Sequence, residues 1–172
     1  IVGNRALIEQ SANYPKRSYY CNLYLQYHFF ETTGEMHFTP PVQTIYAARQ
    51  ALDEYFAEGE QAKWQRHLSV FEAIHAGLER LGFQDIIQRE LQAGLVVSVR
   101  YPDDANWDFE RVHDYCYERG FTIYPGKVST QDTFRLCALG AISAADIEAF
   151  FVVFEEALRK YEIQIPVSYG QE

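Results

Sequence analysis

The chain has 172 residues, of which 48% are hydrophobic, 23% charged and 16% aromatic, a composition typical of a soluble globular domain and not of a disordered segment. Its formal net charge of −9 opposes nucleic-acid binding, because phosphate backbones repel an acidic surface. No apolar run approaches the ~20 residues that span a membrane. The three cysteines, Cys21, Cys116 and Cys137, are far apart and form no zinc or disulfide pattern. Their spacing predicts a reducing compartment, and we expect a cytoplasmic location.

The first part of the chain is predicted to be helical. In the aromatic segment 16–34, Leu23, Tyr27 and Phe30 are spaced as on one helix face, and Gly34 is a plausible helix end. So many aromatic residues are unusual on a solvated surface. We expect the segment to pack against another chain or domain, with ordinary core packing as the alternative.

Two further helices are predicted between Pro40 and Gly82. Thr39 stands directly before two prolines, where it is a natural N-cap for the first of them. Gly59 marks a break, and Gly82 occupies the favoured position for a C-cap of the second helix. The second helix has apolar residues at a spacing of three or four: Leu68, Phe71, Ile74, Leu78 and Leu81.

Beyond Gly82 the pattern alternates between strands and helices. Strands are predicted at 95–101, 121–124 and 133–139, and helices follow Asp108 and the capping box of Ser143 with Asp146. The tail 163–172 is predicted to be loose. The fold class is therefore α/β, with a compact two-layer α+β unit at the carboxyl end, and we expect a domain border between residues 57 and 58.

Arg135 is the residue that points most clearly to binding. In its predicted strand it shares a face with Thr133 and Cys137, while Phe134 and Leu136 face the other way. An arginine among apolar residues costs desolvation unless an anion meets it, and its planar guanidinium matches a carboxylate or phosphonate at two points. The alternative is an edge-strand arginine whose stem covers apolar surface while its head reaches water.

Thr39 and Lys127 each allow two interpretations. Thr39 is either a helix cap only, or a hydroxyl beside a helix N-terminus that binds an anion. Lys127 follows a Pro-Gly turn and either is solvated or leans over a pocket, so we assign it no role. None of the five histidines belongs to a metal-ligand pattern, and no metal site is predicted.

Four segments together resemble the carboxyl-terminal half of the class V aminotransferases: HFTPPVQTIYAARQAL, FEAIHAGLERLGF, DFERVHDYCYERGFTIYPGK and TFRLCALGAISAADIEAFF. The likeness covers nearly the whole chain and is greatest to members that use 2-aminoethylphosphonate and pyruvate. It implies a pyridoxal-phosphate (PLP) transferase of fold type I. Residues 1–57 would then be the end of the large cofactor-binding domain with an interdomain helix, and 58–172 the small carboxyl-terminal domain.

The resemblance also implies site residues and partners. Thr39 is expected to reach the PLP phosphate held by the other subunit of a homodimer with shared active sites, and Arg135 to bind the anionic end of the amino donor and of pyruvate. The Schiff-base lysine is expected upstream of residue 1, because none of the four lysines matches its position: Lys16, Lys63, Lys127 and Lys160. We therefore expect the chain to be part of a longer protein and inactive alone.

Three alternatives remain open at this stage. An alanine–glyoxylate or serine-type aminotransferase shares the fold and the arginine, and differs in its amino donor. A cysteine desulfurase requires a reactive cysteine on a mobile loop, whereas Cys116 and Cys137 are predicted in a helix and a strand. The chain could also be a non-catalytic fragment or interaction domain.

Overall fold

The computed structural model of the chain describes residues 3–126 and 131–170. The chain divides into two compact units, the first ending at Glu54 and the second beginning at Tyr55. None of the helices in the described residues has the length and apolarity that crossing a bilayer requires.

The first unit is helical, as predicted. Its elements are α1 (Arg5–Gln10), a short 3-10 turn (Ser11–Asn13), α2 (Leu23–Thr33) and most of α3 (Val42–Glu58). Asn22 caps α2 by accepting a hydrogen bond from the Leu25 amide at 2.9 Å. Gly34 ends the same helix in the left-handed conformation, with φ of 72°, which glycine adopts at little cost.

Aromatic rings cluster around His37 in the first unit. The His37 ring contacts Tyr19, Phe29 and Phe38 at centroid distances of 5.4, 4.7 and 4.5 Å. Tyr19 and Tyr20 nevertheless remain 68% and 67% exposed. The unit therefore presents large aromatic side chains to its surroundings.

The second unit contains the remaining elements. They are α4 (Glu60–Leu81), a 3-10 turn (Arg89–Leu91), β1 (Val96–Arg100), α5 (Phe109–Tyr117), β2 (Tyr124–Pro125), β3 (Thr133–Cys137) and α6 (Ala144–Lys160). Gly59 separates α3 from α4, and Gly82 ends α4 with φ of 81°. Asp108 and Ser143 cap α5 and α6. The predicted boundaries at these four residues are confirmed.

The three strands form an antiparallel sheet in the order β1-β3-β2. β3 is therefore the central strand, so the edge-strand interpretation of Arg135 is wrong. The strand predicted at 121–124 is misplaced, because only Tyr124 and Pro125 pair with β3. The Phe121 ring instead packs against Phe150 of α6 at 5.8 Å.

The helices cover one face of this sheet. Val97, Val99, Phe134 and Leu136 are buried in one core cluster with apolar residues of α4, α5 and α6. The alternation predicted for these strands is confirmed, since Arg135 and Cys137 lie on the opposite face and stay partly exposed. The sheet therefore presents Arg135 on the side away from the helices.

The carboxyl-terminal tail is packed over its described residues 163–170, so the prediction of a loose tail is wrong for them. Val167 is buried, and its amide donates to the Leu81 carbonyl at the end of α4, at 2.8 Å. Asp103 and Asp104 accept hydrogen bonds from the tail amides of Gly170 and Gln164, at 2.5 and 2.9 Å. These partners are distant in sequence, which is why local pattern did not reveal them.

Candidate functional site

Arg135 lies at the centre of the exposed sheet face. Its cross-strand neighbours are Ser98 in β1 and Tyr124 in β2, and directly opposed residues point to the same side of a sheet. The Arg135 Nε donates to the Pro125 carbonyl at 3.3 Å. Within the described residues, the guanidinium forms no ion pair with a carboxylate. Its charge is therefore available to an external anion.

A cleft of about 650 Å³ opens beside Arg135. Its wall is mostly apolar and includes Phe121, Leu136 and Phe150, and in the described part of the chain its charged residues are Arg135 and Asp146. Clefts of this size with a few placed polar groups are typical of small-ligand sites.

The carboxylate of Asp146 is already committed to the end of α6. Its Oδ2 accepts hydrogen bonds from the amide and from the hydroxyl of Ser143, both at 2.8 Å. These bonds hold the pKa of Asp146 below its ordinary value, and the bond from the hydroxyl has the larger effect. Arg135 is thus the uncommitted charge of the cleft, which favours a ligand with an anionic end and an apolar body.

Thr39 is exposed and does not cap α3, so the cap interpretation is wrong. The helix begins at Val42, and the Pro41 carbonyl accepts the first helical bond from the Ile45 amide at 3.0 Å. The second proline therefore occupies the capping position, and Thr39 precedes it by two residues. Among the described residues, no group bonds the Thr39 hydroxyl.

The first turn of α3 offers further free donors. The amides of Gln43 and Thr44 donate to no group of residues 3–126 or 131–170, as expected for a helix N-terminus. Together with the Thr39 hydroxyl they form a set of donors suited to an anion such as a phosphate. Thr39 belongs to the first unit and Arg135 to the second.

Cys116 is buried and Cys137 is half-buried, and the thiol pKa of both is raised. Cys116 lies in α5, where burial raises the pKa of its thiol to about 11. Burial also raises the pKa of Cys137 in β3, although the positive charge of Arg135 offsets part of this effect. Both predicted locations are confirmed, and neither thiol has the depressed pKa of a reactive nucleophile. Lys127 lies outside the described residues.

Sequence comparison identifies the relatives of the chain. No protein-family model matches it. It is 34% identical over 166 residues to a 2-aminoethylphosphonate–pyruvate transaminase of Burkholderia lata, an alignment that covers 96% of the chain and 44% of that protein. The corresponding protein of Burkholderia ambifaria is 36% identical over 139 residues, covering 80% of the chain and 37% of the relative.

The chain is a homologue of the class V aminotransferases. It spans less than half the length of the curated relatives it matches. Enzymes of this family depend on PLP, the cofactor that the resemblance predicts.

Solved structures show the same class V aminotransferase fold. One of them is a pyridoxamine–pyruvate aminotransferase from Mesorhizobium loti, with a TM-score of 0.78 and 20% sequence identity. The superposition covers 94% of the present chain and 42% of that enzyme. Another is an alanine–glyoxylate aminotransferase from Nostoc sp., with a TM-score of 0.73 and 22% sequence identity. That superposition covers 91% of the present chain and 42% of the Nostoc enzyme. The predicted fold class is confirmed.

Sequence pattern does not mark Pro125 or Gly126 as site residues, because it indicates only a Pro-Gly turn at these positions. The Pro125 carbonyl is the hydrogen-bond partner of Arg135. The Gly126 amide donates to the Thr133 carbonyl at 2.6 Å. The strand pattern of Thr133 and Arg135 was the available signal, but it did not reveal which segment pairs with them.

Proposed function

We propose that the complete protein is a PLP-dependent aminotransferase that moves an amino group from 2-aminoethylphosphonate to pyruvate, giving phosphonoacetaldehyde and alanine. The supporting observation is the 34% identity to the transaminase of Burkholderia lata, which extends over 96% of the chain. The uncommitted cation beside an apolar cleft agrees with this proposal, since both proposed substrates have an anionic end.

Arg135 is proposed to bind the phosphonate of the amino donor and the carboxylate of pyruvate in turn. Its Nε is bonded to Pro125, so the two terminal nitrogens remain for the oxygens of one anion. A two-point contact of this kind fixes the orientation of the substrate as well as binding it. Asp146 does not compete for the guanidinium because Ser143 holds its carboxylate.

Thr39 and the first turn of α3 are proposed to hold the phosphate of the cofactor bound to the partner subunit. The uncommitted hydroxyl and amides are donors, as a phosphate requires, so the residues present fit this group. Bound PLP supplies an electron sink for the amino-group transfer. The contribution of the chain's own residues is to orient the cofactor and the anionic substrate.

A homodimer with shared active sites is proposed, with residues 1–57 in the large cofactor-binding domain and 58–172 as the small domain. The exposed rings of Tyr19, Tyr20 and Phe56 are available for packing against other parts of such an assembly. The cysteines are free thiols, which agrees with a cytoplasmic location.

The lysine that binds the cofactor covalently is proposed to lie outside these 172 residues, which leaves the chain inactive alone. The ammonium group of Lys63 lies over the Tyr55 ring at 5.4 Å, and that of Lys160 lies over the Tyr115 ring at 4.8 Å. Both are surface contacts with aromatic faces. Lys16 lies in the loop before α2, in the wall of a separate cleft.

The proposal is tested by Arg135→Ala in the complete enzyme. Losing a charge-assisted contact of roughly 1.5–3 kcal/mol should raise KM for both substrates by about ten- to a hundredfold. The matched control is Arg111→Ala, which removes an arginine stacked on Tyr161 at 4.3 Å and should leave both KM values unchanged. Steady-state kinetics with unchanged KM in Arg135→Ala would remove this residue from the substrate site.

A second candidate is an alanine–glyoxylate or serine-type aminotransferase. The fold shared with the Nostoc enzyme is compatible with it, whereas the higher sequence identities are to proteins named for 2-aminoethylphosphonate. Assays with 2-aminoethylphosphonate, alanine and serine as donors separate the candidates. Preference for alanine or serine with glyoxylate as acceptor would replace the first proposal with the second.

A further inference from the structure

We propose that Gly126 and Thr133 are positioning residues that fix the direction of the Arg135 guanidinium. This inference rests on the proposed role of Arg135 in binding the anionic ends of the substrates. In this proposal, the short strand β2 and the glycine that follows it hold the Arg135 side chain in place.

The first step concerns what holds the arginine. In the described part of the chain, the bond from its Nε to the Pro125 carbonyl is its one hydrogen bond. The position of that carbonyl therefore determines the plane of the guanidinium. A planar fork binds an anion at two points only when its plane is fixed, so a shift of Pro125 is transmitted to the substrate site.

The second step concerns what holds β2. This strand has only two residues, and the nitrogen of Pro125 cannot donate to the sheet. Immediately after it, the Gly126 amide donates to the Thr133 carbonyl at 2.6 Å. Gly126 is thus the point at which the end of β2 is attached to the central strand.

The third step explains why this position needs a glycine. A Cβ atom on Gly126 would lie 1.7 Å from the Thr133 Oγ1 and 2.7 Å from the Thr133 carbonyl oxygen. Gly126 does not have a positive φ, so the requirement is for space and not for an unusual backbone conformation. The Thr133 carbonyl is part of the backbone of the central strand, so rotating the Thr133 side chain does not relieve the clash with it. An added methyl group must therefore move β2.

The fourth step concerns Thr133 itself. Its side chain is only 3% exposed, and its hydroxyl has no hydrogen-bond partner in the described residues. A buried hydroxyl without a partner is costly, and no hydrogen bond among the described residues explains a threonine at this position. Its Oγ1 lies only 1.7 Å from the place that a Cβ atom on Gly126 would take, so the Thr133 side chain fills the space beside the end of β2.

The test is Gly126→Ala in the complete enzyme, with KM and kcat measured for the amino donor and for pyruvate. We expect KM to rise about three- to tenfold for both substrates, because the arginine loses its fixed rotamer on the free enzyme. We expect kcat to change less than twofold, since roughly the same contacts form once substrate is bound. A fall in kcat without a rise in KM would overturn the proposal.

A matched control separates positioning from a general loss of stability. In Gly77→Ala the new Cβ would lie 2.2 Å from the Phe151 ring, a comparable clash at the contact between α4 and α6. This variant should melt at a lower temperature but keep the KM values of the unmodified enzyme. Equal KM changes in Gly77→Ala and Gly126→Ala would show that the effect is not specific to Arg135.

The double variant Gly126→Ala/Arg135→Ala decides whether the glycine acts through the arginine. If it does, adding Gly126→Ala to Arg135→Ala leaves KM unchanged, whereas an independent effect adds to it. Unchanged KM in Arg135→Ala alone would instead contradict the proposed role of Arg135. If Gly126→Ala does not fold, Thr133→Val is used instead, because it places a methyl group where the Thr133 hydroxyl lies against Gly126 and displaces the same backbone less. Normal KM values in that folded variant would overturn the proposal.

Discussion

At the scale of single residues, the two charged groups of the cleft differ in whether their hydrogen-bonding capacity is used. Asp146 is satisfied by Ser143, whereas the terminal nitrogens of Arg135 have no partner among the described residues. The proposed role of Arg135 in binding an anion rests on these uncommitted nitrogens, which can contact the oxygens of one anion at two points. The same contrast holds for Thr39, whose hydroxyl serves no structural bond in the described chain.

Thr39→Ala is predicted to weaken PLP retention without lowering stability. Because Pro41 occupies the capping position, removing the Thr39 hydroxyl costs α3 no capping bond. Loss of a hydrogen bond to the phosphate, worth about 1.5 kcal/mol, should raise the Kd for PLP roughly tenfold. The measurements are PLP content after dialysis and the melting temperature of the enzyme without cofactor.

The matched control for this prediction is Thr33→Ala. Its hydroxyl donates to the Phe29 carbonyl at the end of α2, at 2.8 Å, and this variant should retain PLP normally. A lower melting temperature with unchanged PLP affinity in Thr39→Ala would mean that the threonine is structural.

At the scale of the elements, the strongest local signals lie at helix ends. The capping box of α6 has both of its bonds, since Ser143 accepts from the Asp146 amide and Asp146 accepts from the Ser143 amide. The glycines after α2 and α4 end those helices in the left-handed conformation. Such boundaries are local because the residues that form them are within four positions of one another.

Ser143→Ala is predicted to destabilise the second unit by about 1 kcal/mol at pH 7, the usual cost of losing an N-cap. The hydroxyl and amide of Ser143 hold the pKa of Asp146 below its ordinary value. A depressed carboxyl pKa contributes stability that is complete above about pH 4 and is lost as the pH falls through the folded-state pKa. The difference in unfolding free energy between the two proteins should therefore shrink on acidification.

Urea unfolding followed by circular dichroism at pH 7 and pH 3 measures this difference. Ser69→Ala in α4 is the control, because the Ser69 hydroxyl donates to the Arg66 carbonyl and bonds to no carboxylate of the described residues. Its effect should be the same at both pH values. A Ser143→Ala effect that is also independent of pH would show that the hydroxyl bond to Asp146 adds nothing to stability.

At the scale of the whole molecule, sequence pattern predicted what depends on neighbours in the chain and missed what depends on distant ones. The alternation of β3 correctly placed Phe134 and Leu136 against the helices and Arg135 on the other face. It did not reveal that Pro125 would hold the arginine, because that contact depends on which segment pairs with β3. The candidate site was thus predicted as separate residues, without the packing that orients them.

The packed tail illustrates the same limit. Val167 bonds to Leu81, which is 86 positions away, so no local pattern could have revealed the contact. The alternation of Ile163, Ile165 and Val167 is the local signal that agrees with packing of this segment against the core. Similarly, Thr39 matched the composition of a cap, but the second proline moved the start of α3 by two residues.

Burial is unevenly distributed along the chain, which leads to a prediction about local stability. Every buried side chain among the described residues lies between Val70 and Val167, in the second unit. Backbone amides exchange slowly with solvent when opening them disrupts a packed core, and quickly when few buried contacts hold them. In the 172-residue chain, amides of β1, β3 and α6 should therefore exchange slowest, and those of α1 to α3 fastest.

Hydrogen exchange measured by mass spectrometry tests this difference and also the proposal about the complete enzyme. If α2 and α3 pack against a larger cofactor-binding domain and a partner subunit, their amides should become strongly protected there, while those of β3 should change little. Strong protection of α2 in the 172-residue chain would show that the first unit is stable by itself. Equally fast exchange of α2 in both proteins would contradict the expectation that the aromatic segment 16–34 packs against another chain or domain, because its exposed Phe30 would remain uncovered.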